Sequence, residues 1–259
     1  MQALCQQRAM ADRRRMTMRQ GLDVRQILAV GGGGFGTAGG GPRLLDYLLE
    51  LTGKPQPRIC YVPTASADSD VGVVRFYREM SAERCIPSDL LLFNRNRENV
   101  RDVLLRQDAI WVGGGNTANM LAIWRVHGVD RVLREAWERG IVLGGVSAGG
   151  LCWFDDGITD SFGPDLAALH DGLGFLPGSF CPHYNSEPGR RPTYHRLVAA
   201  GMPAGYALDD GVGLHFIGRD LAAIVAENPS ARAYRLEREG NRAVEMPLEP
   251  GYLGPAPTA

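Results

Sequence analysis

Over the first 150 positions, short apolar runs alternate with longer stretches in which apolar residues recur every three or four positions. The runs at 25–30, 58–62, 88–93, 108–112 and 141–143 are too short for helices and lack polar alternation, which predicts strands buried on both faces. Between them the helical spacing predicts helices over 42–51, 71–85, 96–105, 118–127 and 129–139. This β-α alternation predicts a parallel sheet with helices on both faces. In such sheets a ligand crevice lies at the carboxyl ends of the strands. The first, fourth and fifth runs lead into glycine there, at Gly31, Gly113 and Gly144.

Beyond residue 150 the pattern changes. The stretch 151–154 suits a helix, 155–171 is polar with glycine and proline and predicts a loop, and 173–179 is apolar but loop-like. A short strand is expected at 180–184, a helix at 190–200, and strands at 205–211, 212–216 and 222–225. Runs at 233–237 and 243–246 flank Gly240-Asn241, a hairpin signal. Residues 1–24 are polar and arginine-rich with no apolar periodicity, and are expected to be a disordered extension preceding a single α/β domain over 25–259.

Composition narrows the partners. With 259 residues, 44% apolar and 22% charged, the chain reads as an ordinary globular protein. A formal net charge of −1 makes no electrostatic case for nucleic acid or an acidic membrane surface. No apolar run approaches the roughly 20 residues that span a bilayer. Five scattered cysteines, never spaced as a CxxC pair, argue against a disulfide framework or a structural zinc site, and point to a reducing, cytoplasmic setting.

Against that background one stretch stands out. Gly145-Val146-Ser147-Ala148-Gly149 follows an apolar strand and precedes a helix-compatible run, matching the G-x-S-x-G nucleophile elbow. A serine nucleophile needs a base, an orienting acid and an oxyanion hole. Of the five histidines, His183 is set apart by its place after Pro182 at the end of a short apolar strand, while His127, His170, His195 and His215 suit surface or structural roles. The acid stays open among Asp155, Asp156, Asp160, Asp209 and Asp210. Cys152 is a rival nucleophile, expected to be buried in the helix after the elbow. No His or Glu stands at ligand spacing from Asp155 and Asp156, so no metal is expected. Gly31, Gly33 and Gly36 also fit G-x-G-x-x-G after a strand, which keeps a dinucleotide or small-molecule binding protein as the alternative reading, although the second strand ends in Pro63-Thr64-Ala65 rather than in an acid for a ribose.

Three motifs together, Val112-Gly113-Gly114-Gly115-Asn116-Thr117, the elbow, and Pro182-His183-Tyr184, resemble the peptidase E family of serine dipeptidases, relatives of the cyanophycinases. The resemblance covers roughly 25–216. It implies a three-layer α/β/α sandwich with a mostly parallel central sheet, similar to class I glutamine amidotransferases. It also implies hydrolysis of short peptides, dipeptides with N-terminal aspartate among them, or of another amide as in cyanophycinases, without a cofactor, by a monomer or homodimer. By the same resemblance Ser147 is the nucleophile, His183 the base, and backbone amides of Gly114, Gly115 and Ala148 the oxyanion hole. Asp160 takes the place of the triad acid, with Asp210 in reserve. Asn116, Arg190 and Arg191 are candidates for holding substrate, the arginines because a substrate carboxylate suits a guanidinium fork.

Overall fold

The computed structural model describes residues 25–33, 43–93 and 99–255. In chain order the strands are β1 (Gln26–Val30), β2 (Arg58–Val62), β3 (Ile86–Asp89), β4 (Ala109–Val112), β5 (Val142–Val146), β6 (Phe154–Thr159), β7 (Ala167–Leu169), β8 (Leu176–Cys181), β9 (Gly205–Leu208), β10 (Val212–Ile217), β11 (Asp220–Ala226), β12 (Ala233–Glu239), β13 (Arg242–Leu248) and β14 (Gly251–Tyr252). The helices are α1 (Arg43–Leu51), α2 (Asp70–Glu79), α3 (Val100–Leu105), α4 (Thr117–His127), α5 (Val129–Glu138), α6 (Ala148–Leu151) and α7 (Arg190–Ala200). The expected extension over 1–24 lies outside the described residues.

The five apolar runs of the first half stand parallel in the order β1-β5-β4-β2-β3. Alternate residues of each strand go to opposite faces. Leu28, Ile59, Tyr61 and Trp111 pack with α1 and with Phe76 of α2. Ile27, Cys60, Ile110 and Leu143 pack on the other face with Leu121 and Trp124 of α4 and Leu133 and Trp137 of α5. Each fully buried Leu or Ile contributes roughly 1.5–3 kcal/mol through burial, so doubly covered strands dominate the stability of this layer. Antiparallel β10 and β11, then β14, extend the sheet beyond β1 to eight strands. The α/β/α sandwich with a mostly parallel central sheet is present as expected.

A second sheet, in the order β13-β12-β9-β8-β6-β7, was not foreseen. The expected loops at 155–171 and 173–179 contain its strands β6, β7 and much of β8. Phe154, assigned from sequence to the elbow helix, begins β6 instead and stacks on Phe180 at 4.9 Å between ring centroids. The acidic residues that suggested a loop take the other side of the strand, where Asp155 is exposed. One face of this sheet supplies Phe154, Leu176, Phe180 and Leu208 to the core shared with the first sheet. Its other face packs Ile158, Cys181 and Leu236 against Tyr194 and Val198 of α7. The run expected as a strand over 88–93 leaves the ladder at Asp89, because the Asp68 carboxylate accepts from the amides of Leu92 (2.5 Å) and Phe93 (2.8 Å).

Where the sheets meet, the residues after β1 make backbone bonds with the segment after β8, with the β9–β10 connection and with the start of β10. The His183 amide donates to the Gly31 carbonyl (3.3 Å), that of Gly211 to Gly32 (2.9 Å), and that of Gly31 to Val212 (2.9 Å). The carboxyl ends of β5, β8 and β9 are thereby brought to one place.

Candidate active site

Ser147 follows β5 directly and caps the single turn α6 with φ 56° and ψ −113°, a strained conformation for a residue with a side chain. Its amide donates to the Val30 carbonyl of β1 at 2.9 Å, which fixes the turn. Gly149 is required for close approach, since a Cβ there would stand 2.3 Å from the Val112 carbonyl oxygen of β4. The G-x-S-x-G pattern is thus the steric condition for folding a helix back across three strand ends.

His183 lies just beyond β8 and also has positive φ, 56°. Its Nε2 is 2.8 Å from the Ser147 hydroxyl and its Nδ1 is 2.8 Å from the Asp210 carboxylate. Asp210, after β9, is held in turn by its own amide, which donates to the Asn185 side-chain oxygen at 3.0 Å. Burial pushes the Asp210 carboxyl up, but hydrogen bonds from His183 and Ser186, with the charges of His183 and Arg190, outweigh it and leave its pKa below the ordinary value. Neighbouring Asp209 goes the other way. Burial raises it more than the Arg232 amide, at 2.9 Å, lowers it.

Asp160, the first choice for the acid, does not hold the histidine. Both ring nitrogens of His183 are already engaged, and the Asp160 carboxylate is exposed, 4.0 Å from Arg190 Nη2. The candidates for substrate binding are also occupied. Asn116 caps α4, accepting from the Asn119 amide at 2.8 Å, and donates to the Ser161 carbonyl at 3.0 Å. Arg190 is buried and donates to Glu187 (2.6 Å) and to the Ile158 carbonyl (3.0 Å). Arg191 pairs with Glu245 through Nε at 3.1 Å and lies over the rings of Tyr184 and Tyr234.

Gly114 and Gly115 lie on the turn after β4, and a Cβ on Gly114 would be 3.3 Å from that of Ser147. The flanking amides of Gly113 and Asn116 are committed to the carbonyls of Val62 (3.1 Å) and Ala65 (2.8 Å). The amides of Gly114 and Gly115 have no hydrogen-bond partner among the described residues. Cys152 is fully buried, its thiol donates to the Gly149 carbonyl at 3.4 Å, and burial pushes its pKa well up, so no thiolate forms there. His170 bonds Asp156, His195 bonds Glu245, and His215 lies between Tyr47 and Gln26. Among the described residues no three His, Cys, Asp or Glu side chains are grouped to hold a metal ion, and no helix is long and apolar enough to cross a membrane.

Sequence reasoning missed Gly32. A Cβ there would stand 1.7 Å from Asp210 Oδ1 and 2.5 Å from His183 Nδ1, so the histidine–aspartate pair needs a bare backbone beneath it. The glycine run that suggested a dinucleotide turn presents Gly32 to a carboxylate, where a phosphate site would keep free amides. Gly36, the last glycine of that pattern, lies outside the described residues. The signal for Gly32 was in the run itself, since glycine marks close approach without saying what approaches.

Comparison with known proteins places the chain in a family. The model of peptidase family S51 matches residues 27–224. The chain is 46% identical to the uncharacterized peptidase YgaJ of Bacillus subtilis over 232 residues, covering 89% of this chain and the whole of that protein. It is 27% identical to peptidase E of Haemophilus influenzae over 211 residues, 73% of this chain and 82% of the other. Among solved structures, a peptidase from an acI-B1 actinobacterium superposes with a TM-score of 0.66 at 16% identity, over 88% of this chain and 95% of that one. A putative peptidase E of Listeria monocytogenes superposes at 0.57 and 18%, over 76% and 96%. At these identities the two structures speak to the fold alone. The family match, which runs from β1 through the elbow serine and its histidine into β11, decides membership: this chain belongs to peptidase family S51 and is a serine-type peptidase.

Proposed function

We propose that the chain hydrolyses short peptides through an acyl-enzyme on Ser147, with His183 as general base and Asp210 as the orienting acid. The observation that carries this reading is the unbroken line from Asp210 through His183 to Ser147, each link 2.8 Å. His183 Nε2 takes the hydroxyl proton as Oγ attacks the scissile carbonyl carbon. The developing oxyanion is received by backbone amides of Gly114 or Gly115 and of Ala148. The carbon–nitrogen bond breaks, the amine leaves with the proton from His183, and a water deprotonated by the same nitrogen resolves the ester. Asp210 keeps the ring in the tautomer with Nε2 free to accept, and its lowered pKa keeps it ionised for that task.

The resemblance to peptidase E puts dipeptides with N-terminal aspartate first among substrates. Arg190 and Arg191 are spent on Glu187, Ile158 and Glu245, so aspartate preference is not assigned to them. The test joins two measurements. A fluorophosphonate probe should label Ser147, located by peptide mass spectrometry, and a dipeptide panel with α-aspartyl, β-aspartyl and neutral members should show turnover that the probe abolishes. Labelling elsewhere, or turnover that survives complete labelling, refutes the serine mechanism.

A further inference from the structure

His183 makes its contacts with Ser147 and Asp210 from a strained backbone, φ 56°. Its own backbone anchors are modest. The amide donates to the Gly31 carbonyl at 3.3 Å, and the carbonyl accepts from the Glu187 amide at 3.1 Å. The next residue, Tyr184, is tied more heavily. Its amide donates to the Leu208 carbonyl of β9 at 3.0 Å. Its buried ring packs on that of Tyr234 in β12, 5.2 Å between centroids, with the Arg191 guanidinium over it at 5.1 Å. Its hydroxyl donates to the Glu245 carboxylate of β13 at 2.5 Å.

Glu245 is itself built into place. It stands opposite Leu236 of β12, and Leu236 stands opposite Gly205 of β9, the strand that leads to Asp210. Its carboxylate also accepts from Arg191 Nε at 3.1 Å and from His195 Nε2 at 2.9 Å. One residue past Tyr184, the Asn185 side-chain oxygen accepts from the Asp210 amide at 3.0 Å. Three consecutive residues are thus fastened: His183 to the nucleophile and the acid, Tyr184 to the β12–β13 hairpin, and Asn185 to the backbone of the acid. A shift of Tyr184 therefore displaces the base and the support of the acid together. The Ser147 turn, fixed separately by the Val30 carbonyl, does not follow them.

We infer that Glu245 is a positioning residue for the general base, acting through the Tyr184 hydroxyl to hold the His183 ring on the line between Asp210 and Ser147. The inference rests on the peptidase reading above. A strained residue keeps its conformation only where its surroundings over-determine it, and the bond from Tyr184 to Glu245 is the strongest side-chain tie on the residue beside it. A phenol that keeps its proton and a carboxylate that keeps its charge make a charge-assisted hydrogen bond. Both conditions hold. Burial and the neighbouring Glu245 push the Tyr184 hydroxyl well up, and bonds from Arg191, Tyr184 and His195 outweigh burial to hold Glu245 below its ordinary value. Without that bond the backbone at His183 is free to relax, and the ring leaves the hydroxyl it must deprotonate.

Tyr184→Phe tests this, since it removes one hydroxyl and keeps the buried ring. Turnover of the dipeptide panel and the rate at which the fluorophosphonate labels Ser147 should both fall roughly tenfold to hundredfold, with KM unchanged. His195→Ala is the comparison. It takes a bond from Glu245 and none from Tyr184, so it should lower the melting temperature and leave kcat nearly unchanged. The proton between His183 Nδ1 and Asp210, read as a far-downfield signal by proton NMR, should persist in His195→Ala and broaden in Tyr184→Phe. Glu245→Gln, whose amide oxygen still accepts from the phenol, should recover part of the rate lost in Glu245→Ala. An unchanged labelling rate and proton signal in Tyr184→Phe overturn the assignment. So does a loss confined to KM, or a kcat that follows the melting temperature in Tyr184→Phe and His195→Ala alike. Failure of the peptidase reading itself would show separately, as absence of turnover and of Ser147 labelling in the unsubstituted protein.

Discussion

Ser147 and Asp210 carry the sharpest consequences at the scale of single residues. Ser147→Ala should lower kcat by several orders of magnitude while the fold persists, because the hydroxyl has its hydrogen bond to His183 and little else to lose. Ser147→Gly should be at least as stable as Ser147→Ala in thermal melts. In ordinary helix or strand positions that exchange costs roughly 0.5–1 kcal/mol, but here glycine relieves the positive φ. Asp210→Asn should reduce kcat by about 10³–10⁴-fold, since an amide stabilises the tautomer with the proton on the wrong nitrogen. A steady-state comparison with Asp160→Asn checks this, and equal losses of kcat in both would contradict the assignment of Asp210. Gly32→Ala should lower kcat without a counterpart in Gly163→Ala, whose added Cβ would meet nothing within 4 Å.

At the scale of elements, the site depends on how strand ends are tied to helix starts. Asn116 caps α4, anchors the turn at Ser161, and follows the glycines beside Ser147. Asn116→Ala should cost about 1 kcal/mol for the lost cap, a fall of roughly 2–4 °C in melting temperature for a chain of this size. It should also free the turn bearing Asp160, and hydrogen exchange should quicken at Ser161 and Phe162. Unchanged exchange there would mean that Arg190, Thr159 and the Ala118 amide hold the turn without Asn116.

For the whole molecule, the joining of two sheets creates a pH dependence. Asp210 and Glu245 both lie below the ordinary carboxylate range. Burial opposes this in each, and is outweighed by His183 and Ser186 at Asp210 and by Arg191, Tyr184 and His195 at Glu245. A carboxyl whose folded pKa is depressed stabilises the fold above its unfolded pKa, and that contribution is lost as pH falls through the lowered value. Glu245 of β13 bonds Tyr184, the residue after His183, and Arg191 and His195 of α7, so its protonation loosens the second sheet around the base. Stability should therefore decline in acid below the ordinary carboxylate range. Glu245→Gln should flatten that decline while lowering stability near neutrality, as urea titrations across pH would record.

The elbow serine, the histidine and the parallel layer were legible along the chain because each rests on local chemistry. A sharp turn demands small neighbours, and a doubly covered strand demands an unbroken apolar run. The second sheet was illegible for the complementary reason. Its strands β6 and β8 are exposed in part, carry acids and glycines, and are recruited by partners distant in sequence, such as Phe180 for Phe154 and Ala207 for Cys181. The choice of acid was equally non-local. Asp160 and Asp210 both follow strands, and their sequence surroundings do not rank them. Only the packing of β9 beside β8, with Gly32 bare beneath, sets Asp210 against Nδ1 and leaves Asp160 at the rim, because a hydrogen bond is decided by tenths of an ångström that depend on how separate strands come together.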